Sequence, residues 1–130
     1  MQRITFNDQV SLLQINAYLH DAEFVKEDIE YSGERNIFSL KALEFEYKSK
    51  GIFQKRTEKV LKRLKLVLFD AKEYSICDKD KKGYESVGRD EINDIKLFNN
   101  KLTITTTFST IIVEIDRING YLEWDEPETK

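Results

Sequence analysis

Residues 95–115, IKLFNNKLTITTTFSTIIVEI, decide the fold class of this chain. If Asn99–Asn100 forms a two-residue loop, Leu97 lies opposite Leu102, and the apolar residues share one face, as cross-strand packing requires. Farther along, the apolar residues move from even to odd positions near Ser109–Thr110, which predicts a turn or a β-bulge there. This stretch therefore predicts antiparallel strands joined by short turns.

Strand-like alternation also occurs in the first half of the chain. Residues 25–31 and 37–47 alternate between apolar and polar side chains, and each segment predicts a strand. Residues 57–71 fit either one face of a helix or one face of a strand. A strand over 62–69 is favoured because the neighbouring segments are strands. The charged and polar residues of 78–88 predict a loop.

Turn and capping residues mark the two ends of this pattern. The pair Asn119–Gly120 is typical of a two-residue hairpin turn, and it predicts that Ile115 lies opposite Trp124. Near the N-terminus, Asp8 is a typical helix N-cap, and the apolar residues over 10–19 recur at helical spacing. The N-terminal segment is therefore expected to form a helix.

The expected fold is α+β, with one N-terminal helix followed by about seven mostly antiparallel strands that form a curled or split sheet. The length of 130 residues and the hydrophobic content of 40% predict one domain over residues 1–125, with a frayed acidic tail over 126–130. The single cysteine, Cys77, cannot form an internal disulfide, which favours a reducing compartment. Since no apolar stretch reaches membrane-spanning length, we expect a cytoplasmic protein without membrane contact.

The residues that carry most enzyme chemistry are scarce. The sequence has one histidine, one cysteine and no glycine-rich phosphate-binding loop. His20 and Asp21 are an acid–base candidate, although a histidine at a helix C-terminus also has a purely structural explanation. The segment Asp78–Gly83 resembles a calcium-binding loop, but Lys82 and Arg89 stand where oxygen ligands are needed. We therefore predict no catalytic residue, no metal and no cofactor.

A basic segment is the strongest candidate for a binding site. Between Lys48 and Lys65 there are eight basic residues and one acid, although the whole chain has a net charge of −3. Such a surface can bind an acidic protein or a phosphate backbone, whereas the simpler alternative is a solvated strand face. The candidate ligand-binding residues are Lys55, Arg56, Lys59, Arg63 and Lys65.

Several short motifs follow one another along the chain. They are the helix end Leu19–Ala22, the strand over 37–47, the basic Lys55–Thr57, the strand Leu64–Leu66, the later strand Leu102–Ile104 and the terminal Trp124. This order resembles a small bacterial family known only as a domain of unknown function. His20 stands where the family pattern has glutamine. The resemblance implies a helix followed by antiparallel strands, and it implies no activity because none is known for the family.

These observations favour a non-enzymatic protein-binding module, of the adaptor or immunity type, over an enzyme. Separate acidic and basic segments suit electrostatic recognition of a partner with an acidic surface, and exposed strand edges would also allow a homodimer. A first alternative is binding of an anionic ligand or, less readily, nucleic acid through residues 48–65. A second alternative is a carboxylate-based enzyme whose acidic residues meet only in the folded chain.

Overall fold

A computed structural model describes residues 2–49 and 57–125, and these residues form an α+β fold of antiparallel strands with two helices. The strands are β1 (Gln2–Phe6), β2 (Glu23–Phe24), β3 (Ile29–Ser32), β4 (Ile37–Ser49), β5 (Thr57–Leu68), β6 (Ala71–Asp78), β7 (Asp90–Phe98), β8 (Lys101–Thr106), β9 (Ser109–Ile115) and β10 (Gly120–Trp124). The helices are α1 (Gln9–Leu19) and α2 (Lys81–Val87), and a short 3-10 turn spans Lys26–Asp28. The predicted tail over 126–130 lies outside the described residues.

The strands form a single sheet in the order β1-β10-β5-β4-β2-β7-β8-β9-β6, with β3 also paired to β4. This sheet is curled, because β6 returns to the turn between β3 and β4, where the Ala71 N–H donates to the Asn36 carbonyl at 2.9 Å. Helix α1 packs on the inner face, and its Asn16 side chain donates to Asp94 of β7 at 3.1 Å. The α+β class and the antiparallel sheet are thus confirmed.

The prediction of about seven strands is wrong, since the described residues contain ten. One strand, β1, precedes the helix and is too short for a clear alternating pattern. Only the last part of the predicted strand over 25–31 forms a strand, β3, because residues 26–28 form a 3-10 turn that separates it from β2. Short strands of this kind obtain most of their stability from their neighbours in the sheet, so local sequence signals them poorly.

The prediction of a single helix is also wrong, because residues 81–87 of the expected polar loop form α2. The Asp80 side chain caps this helix by accepting from the Gly83 N–H at 2.9 Å, and Gly88 ends it with a φ of 80°. The Tyr84 hydroxyl accepts a hydrogen bond from the Lys26 N–H at 3.0 Å. Helix α2 is therefore held by its caps and by one tertiary contact rather than by a buried apolar face.

The hairpin of β7 and β8 is confirmed. Leu97 lies opposite Leu102, and Asn99 and Asn100 adopt the positive φ angles, 48° and 62°, that a two-residue turn requires. The predicted register change also corresponds to a turn, which lies between Thr106 and Ser109. This part of the fold follows directly from local sequence.

The predicted pairing of Ile115 with Trp124 is wrong. Strand β10 does not fold back on β9 but lies between β1 and β5, with Trp124 opposite Leu64. A Cβ atom on Gly120 would lie 2.7 Å from the Phe6 ring and closer still to the Val67 carbonyl. The glycine is therefore required for close packing between strands rather than for a hairpin turn.

The ambiguous segment over 57–71 contains the strand β5, and its alternation sets the two faces of the sheet. Leu64, Leu66 and Leu68 are buried in the core, whereas Arg63 and Lys65 lie on the opposite, outer face. On β4 the buried residues are Phe38, Leu40 and Ala42. The apolar residues at the odd positions of β4 therefore lie on the outer face.

Candidate binding face on strands β4 and β5

The structure brings together only part of the predicted basic site. Lys55 and Arg56 lie outside the described residues, and Lys59 lies in β5 opposite Tyr47. Arg63 and Lys65 occupy alternate positions of β5 and share the outer face of the sheet. These two predicted residues therefore share one strand face, and its neighbours on β4 determine what it can bind.

Strands β4 and β5 form a long hairpin that extends beyond the rest of the sheet. They pair from Phe38–Leu68 to Ser49–Thr57, whereas β10 pairs with β5 only over Leu64–Leu68. On the other side, β2 and β3 reach no farther along β4 than Leu43. Within the described part of the chain, residues 44–49 and 57–63 therefore form a two-stranded arm without a strand on either side.

A groove of about 340 Å³ lies at the base of this arm. Three positively charged side chains line it, and the β4–β5 register places Lys41 directly opposite Lys65 and Leu43 opposite Arg63. The full lining is Asp28, Lys41, Ala42, Leu43, Arg63, Leu64, Lys65, Glu123, Trp124 and Asp125. Sequence reasoning missed Lys41, because only the strand register brings it to Lys65.

The positive charges of the groove are not neutralised by ion pairs. Among the described residues, no carboxylate lies within ion-pair distance of Lys41, Arg63 or Lys65. Glu123 is already paired with Arg3, at 2.8 Å. In the strand register Lys65 lies between Glu123 on β10 and Lys41 on β4, so Glu123 offsets part of the repulsion between the two lysines, and a bound anionic group would offset more of it.

Exposed apolar side chains continue the outer face from the groove along the arm. Leu43, Phe45 and Leu61 are 40%, 41% and 38% exposed, and Phe45 lies directly opposite Leu61. The part of the outer face on β4 and β5 that could bind a partner consists of Lys41, Leu43, Phe45, Leu61, Arg63 and Lys65. Exposed apolar patches with polar or charged neighbours are typical of protein-interaction surfaces, because the apolar part supplies affinity and the charges supply orientation.

The inner face at the same level is packed. Trp124 stacks on Tyr18 of α1 with ring centroids 5.2 Å apart, and the buried Lys62 places its Nζ 4.6 Å from the Trp124 ring. Glu44 lies opposite Lys62 in the β4–β5 register. Trp124 thus packs against the core, and this packing anchors the base of the arm.

The weak acid–base candidate is assembled more closely than the sequence suggested. Asp21 adopts a φ of 69°, and its carboxylate lies 3.1 Å from the Nδ1 of His20. The pKa of the neighbouring Glu91 is raised, mainly because the carboxyl is partly buried and secondly because it shares a hydrogen bond with Asp21. His20 and Asp21 are nevertheless exposed, and the described residues contain no group of three metal-ligating side chains. The His20–Asp21 pair therefore lies at the surface of the described part of the chain.

A second carboxylate, Asp90, is almost completely buried at 1% exposure and has a structural function. It accepts hydrogen bonds from the Thr106 hydroxyl at 2.7 Å, from the Glu91 N–H at 2.8 Å and from the Phe108 N–H at 3.0 Å. These bonds tie the start of β7 to the turn between β8 and β9. Asp90 therefore has a structural explanation, as a buried acceptor for three hydrogen bonds.

The carboxylates of the calcium-like segment are likewise engaged. Asp78 lies 2.5 Å from the Nζ of Lys26, which keeps the pKa of this carboxyl below its ordinary value, and Asp80 caps α2. Both groups therefore stabilise the attachment of α2.

Comparison with known proteins gives no relative for this chain. No family profile, no curated protein and no solved structure matches it. The resemblance to a domain of unknown function therefore stays a prediction. None of the described helices has the length and the run of apolar residues that crossing a membrane requires.

Proposed function

We propose that this protein is a protein-binding module, of the adaptor or immunity type, that holds an acidic surface of its partner on the outer face. The observation that carries the proposal is the continuity of three cations, which have no ion pair among the described residues, with three exposed apolar side chains on one strand pair. A strand scaffold positions these groups before binding, which reduces the entropy that association costs.

The partner chemistry follows from the charges and the apolar area together. An acidic side chain placed between Lys41 and Lys65 would relieve their mutual repulsion, while an adjacent apolar residue would cover Leu43 or Phe45. A phosphate backbone has no apolar groups that could cover the exposed apolar side chains. These features favour a protein over nucleic acid.

Site-specific photo-crosslinking in the native cell tests the proposal. A benzophenone side chain replaces Phe45 on the outer face or, as a matched control, Phe98, which is 76% exposed on β7. We expect a discrete crosslinked partner from position 45 and not from position 98. The crosslinked peptide of the partner should be acidic.

A charge-reversal pair completes the test. Arg63→Glu with Lys65→Glu should abolish the crosslink from position 45, because it makes the groove repel acids. Lys82→Glu with Lys101→Glu changes the net charge equally at exposed positions elsewhere and should leave the crosslink intact. Equal crosslinking in all variants, or no crosslink specific to position 45, would overturn the proposed function.

A further inference from the structure

Over residues 57–63, no described strand pairs with the side of β5 that faces away from β4. Strand β10 pairs with β5 from Leu68 to Leu64 and stops there. The Phe69 N–H donates to the Asn119 carbonyl at 2.8 Å, so residues 69 and 119 form a hydrogen-bonded pair. Such pairs recur at every second residue of an antiparallel ladder. The backbone groups of Arg63 and Leu61 therefore point away from β4, toward the side where β10 has ended.

The size of this edge suits a short added strand. Residues 57–63 would span about 23 Å at roughly 3.3 Å per residue. The backbone groups of Leu61 and Arg63 would bond two residues of a partner strand. The side chains of Leu61 and Arg63, which lie on the outer face, would then lie beside the side chains of those two partner residues. Unpaired edges of this kind bind extended peptides by adding a strand, with the backbone supplying affinity and alternate side chains supplying specificity.

The chain itself is a poor source of that strand. If the register between β10 and β5 were extended, position 127 would lie opposite Leu61 and would have to donate a backbone N–H. Position 127 is proline, which has no backbone N–H. A second copy pairing through its own β5 would bring two strongly basic segments together, since residues 59–65 contain Lys59, Lys62, Arg63 and Lys65 and no acid. Like charges across a strand pair are destabilising, so charge complementarity favours an acidic segment of another protein.

We propose that the partner adds an extended, antiparallel strand to the edge of β5 over residues 57–63, with acidic side chains at alternate positions on the outer face. This inference rests on the proposed function and specifies how the partner binds. An antiparallel orientation continues the pattern of every strand pair described in this sheet. Because directly opposite residues share a face of the sheet, the acidic side chains of the partner then lie beside Arg63. The backbone N–H groups of the same acidic residues point toward β5.

Synthetic heptapeptides of the pattern Glu-Val-Glu-Ile-Glu-Val-Glu, blocked at both ends, test this geometry with the intact protein. In one version the amide nitrogens of all glutamates are methylated, and in a matched version those of the apolar residues are methylated. In the proposed complex only the glutamate N–H groups bond β5. Methylation at glutamate should therefore weaken binding at least about tenfold more than methylation at the apolar positions.

Amide hydrogen exchange locates the bound peptide. We expect exchange at the N–H groups of Leu61 and Arg63 to slow by about tenfold or more on binding, while the N–H of Thr5 on edge strand β1 is unchanged. Equal effects of the two methylation patterns, or no protection at Leu61 and Arg63, would overturn strand addition. So would the absence of any binding at low ionic strength. The crosslink from position 45 reports the proposed function separately, because it requires only that the outer face be covered.

Discussion

Replacement of the buried Asp90 by alanine should destabilise the protein by an amount that its hydrogen bonds define. The Thr106 hydroxyl keeps a partner after the substitution, because the Ser109 carbonyl lies 2.8 Å from it. The N–H groups of Glu91 and Phe108 lose their acceptor. A buried donor left without a partner costs about 1–3 kcal/mol, so two would cost about 2–6 kcal/mol; because both bonds are only partly buried, we expect the lower part of this range, about 2–4 kcal/mol. That is a large part of the stability of an ordinary domain, which is about 5–15 kcal/mol.

Urea unfolding followed by the fluorescence of Trp124, the single tryptophan, measures this loss. Asp90→Asn is the decisive control, since an amide oxygen can still accept from both N–H groups, and its expected cost is below about 1 kcal/mol. Glu85→Ala, at an exposed position of α2, should be close to neutral. An alanine variant within about 0.5 kcal/mol of the wild type would refute the hydrogen-bond argument. An asparagine variant as unstable as the alanine variant would show instead that the charge is what matters.

Four further substitutions should change the stability of the protein or the pKa of a carboxyl group. Gly120→Ala should lower the free energy of unfolding by about 1–3 kcal/mol in the same urea assay, because its Cβ would overlap the neighbouring strands; an unchanged midpoint would contradict this packing. Asp21→Asn should lower the raised pKa of Glu91 toward the ordinary value, as followed by carboxyl NMR. A raised pKa means that the folded protein disfavours the ionised form of Glu91, which is the form present at neutral pH. Glu91→Gln should therefore increase stability at neutral pH, and a decrease would contradict this sign. Lys65→Met should raise stability by about 0.2–1 kcal/mol by removing the repulsion with Lys41 while weakening partner capture, and a loss of stability would show that the two charges do not oppose each other.

Stability and binding are expected to conflict on the outer face. The opposed Lys41 and Lys65 and the exposed Leu43 and Phe45 each reduce the stability or solubility of the isolated chain. A surface that served only as solvated covering would alternate charges of both signs across β4 and β5. The proposed partner would offset these costs by covering this face.

The candidate site was only partly predictable. The concentration of basic residues over 48–65 identified Arg63 and Lys65, since charge density is visible in one segment. It did not identify Lys41, Leu43 or Phe45, which join the site from another strand through a pairing register. Leu43 and Phe45 also look like core residues in the sequence, because the alternation of β4 does not show which face the helix will cover.

Local sequence alone determined the elements whose stabilising contacts are local. The Asn99–Asn100 turn fixed the β7–β8 register, and the Asp8 side chain, which accepts from the Ser11 N–H at 2.7 Å, fixed the start of α1. Only the tertiary structure decided the partners of β10, where Asn119–Gly120 imitates a hairpin turn but Gly120 provides room for Phe6 instead. The physical reason is that turns and caps are bonds between near neighbours, whereas strand order and the choice of buried face depend on packing between residues that are far apart in the chain.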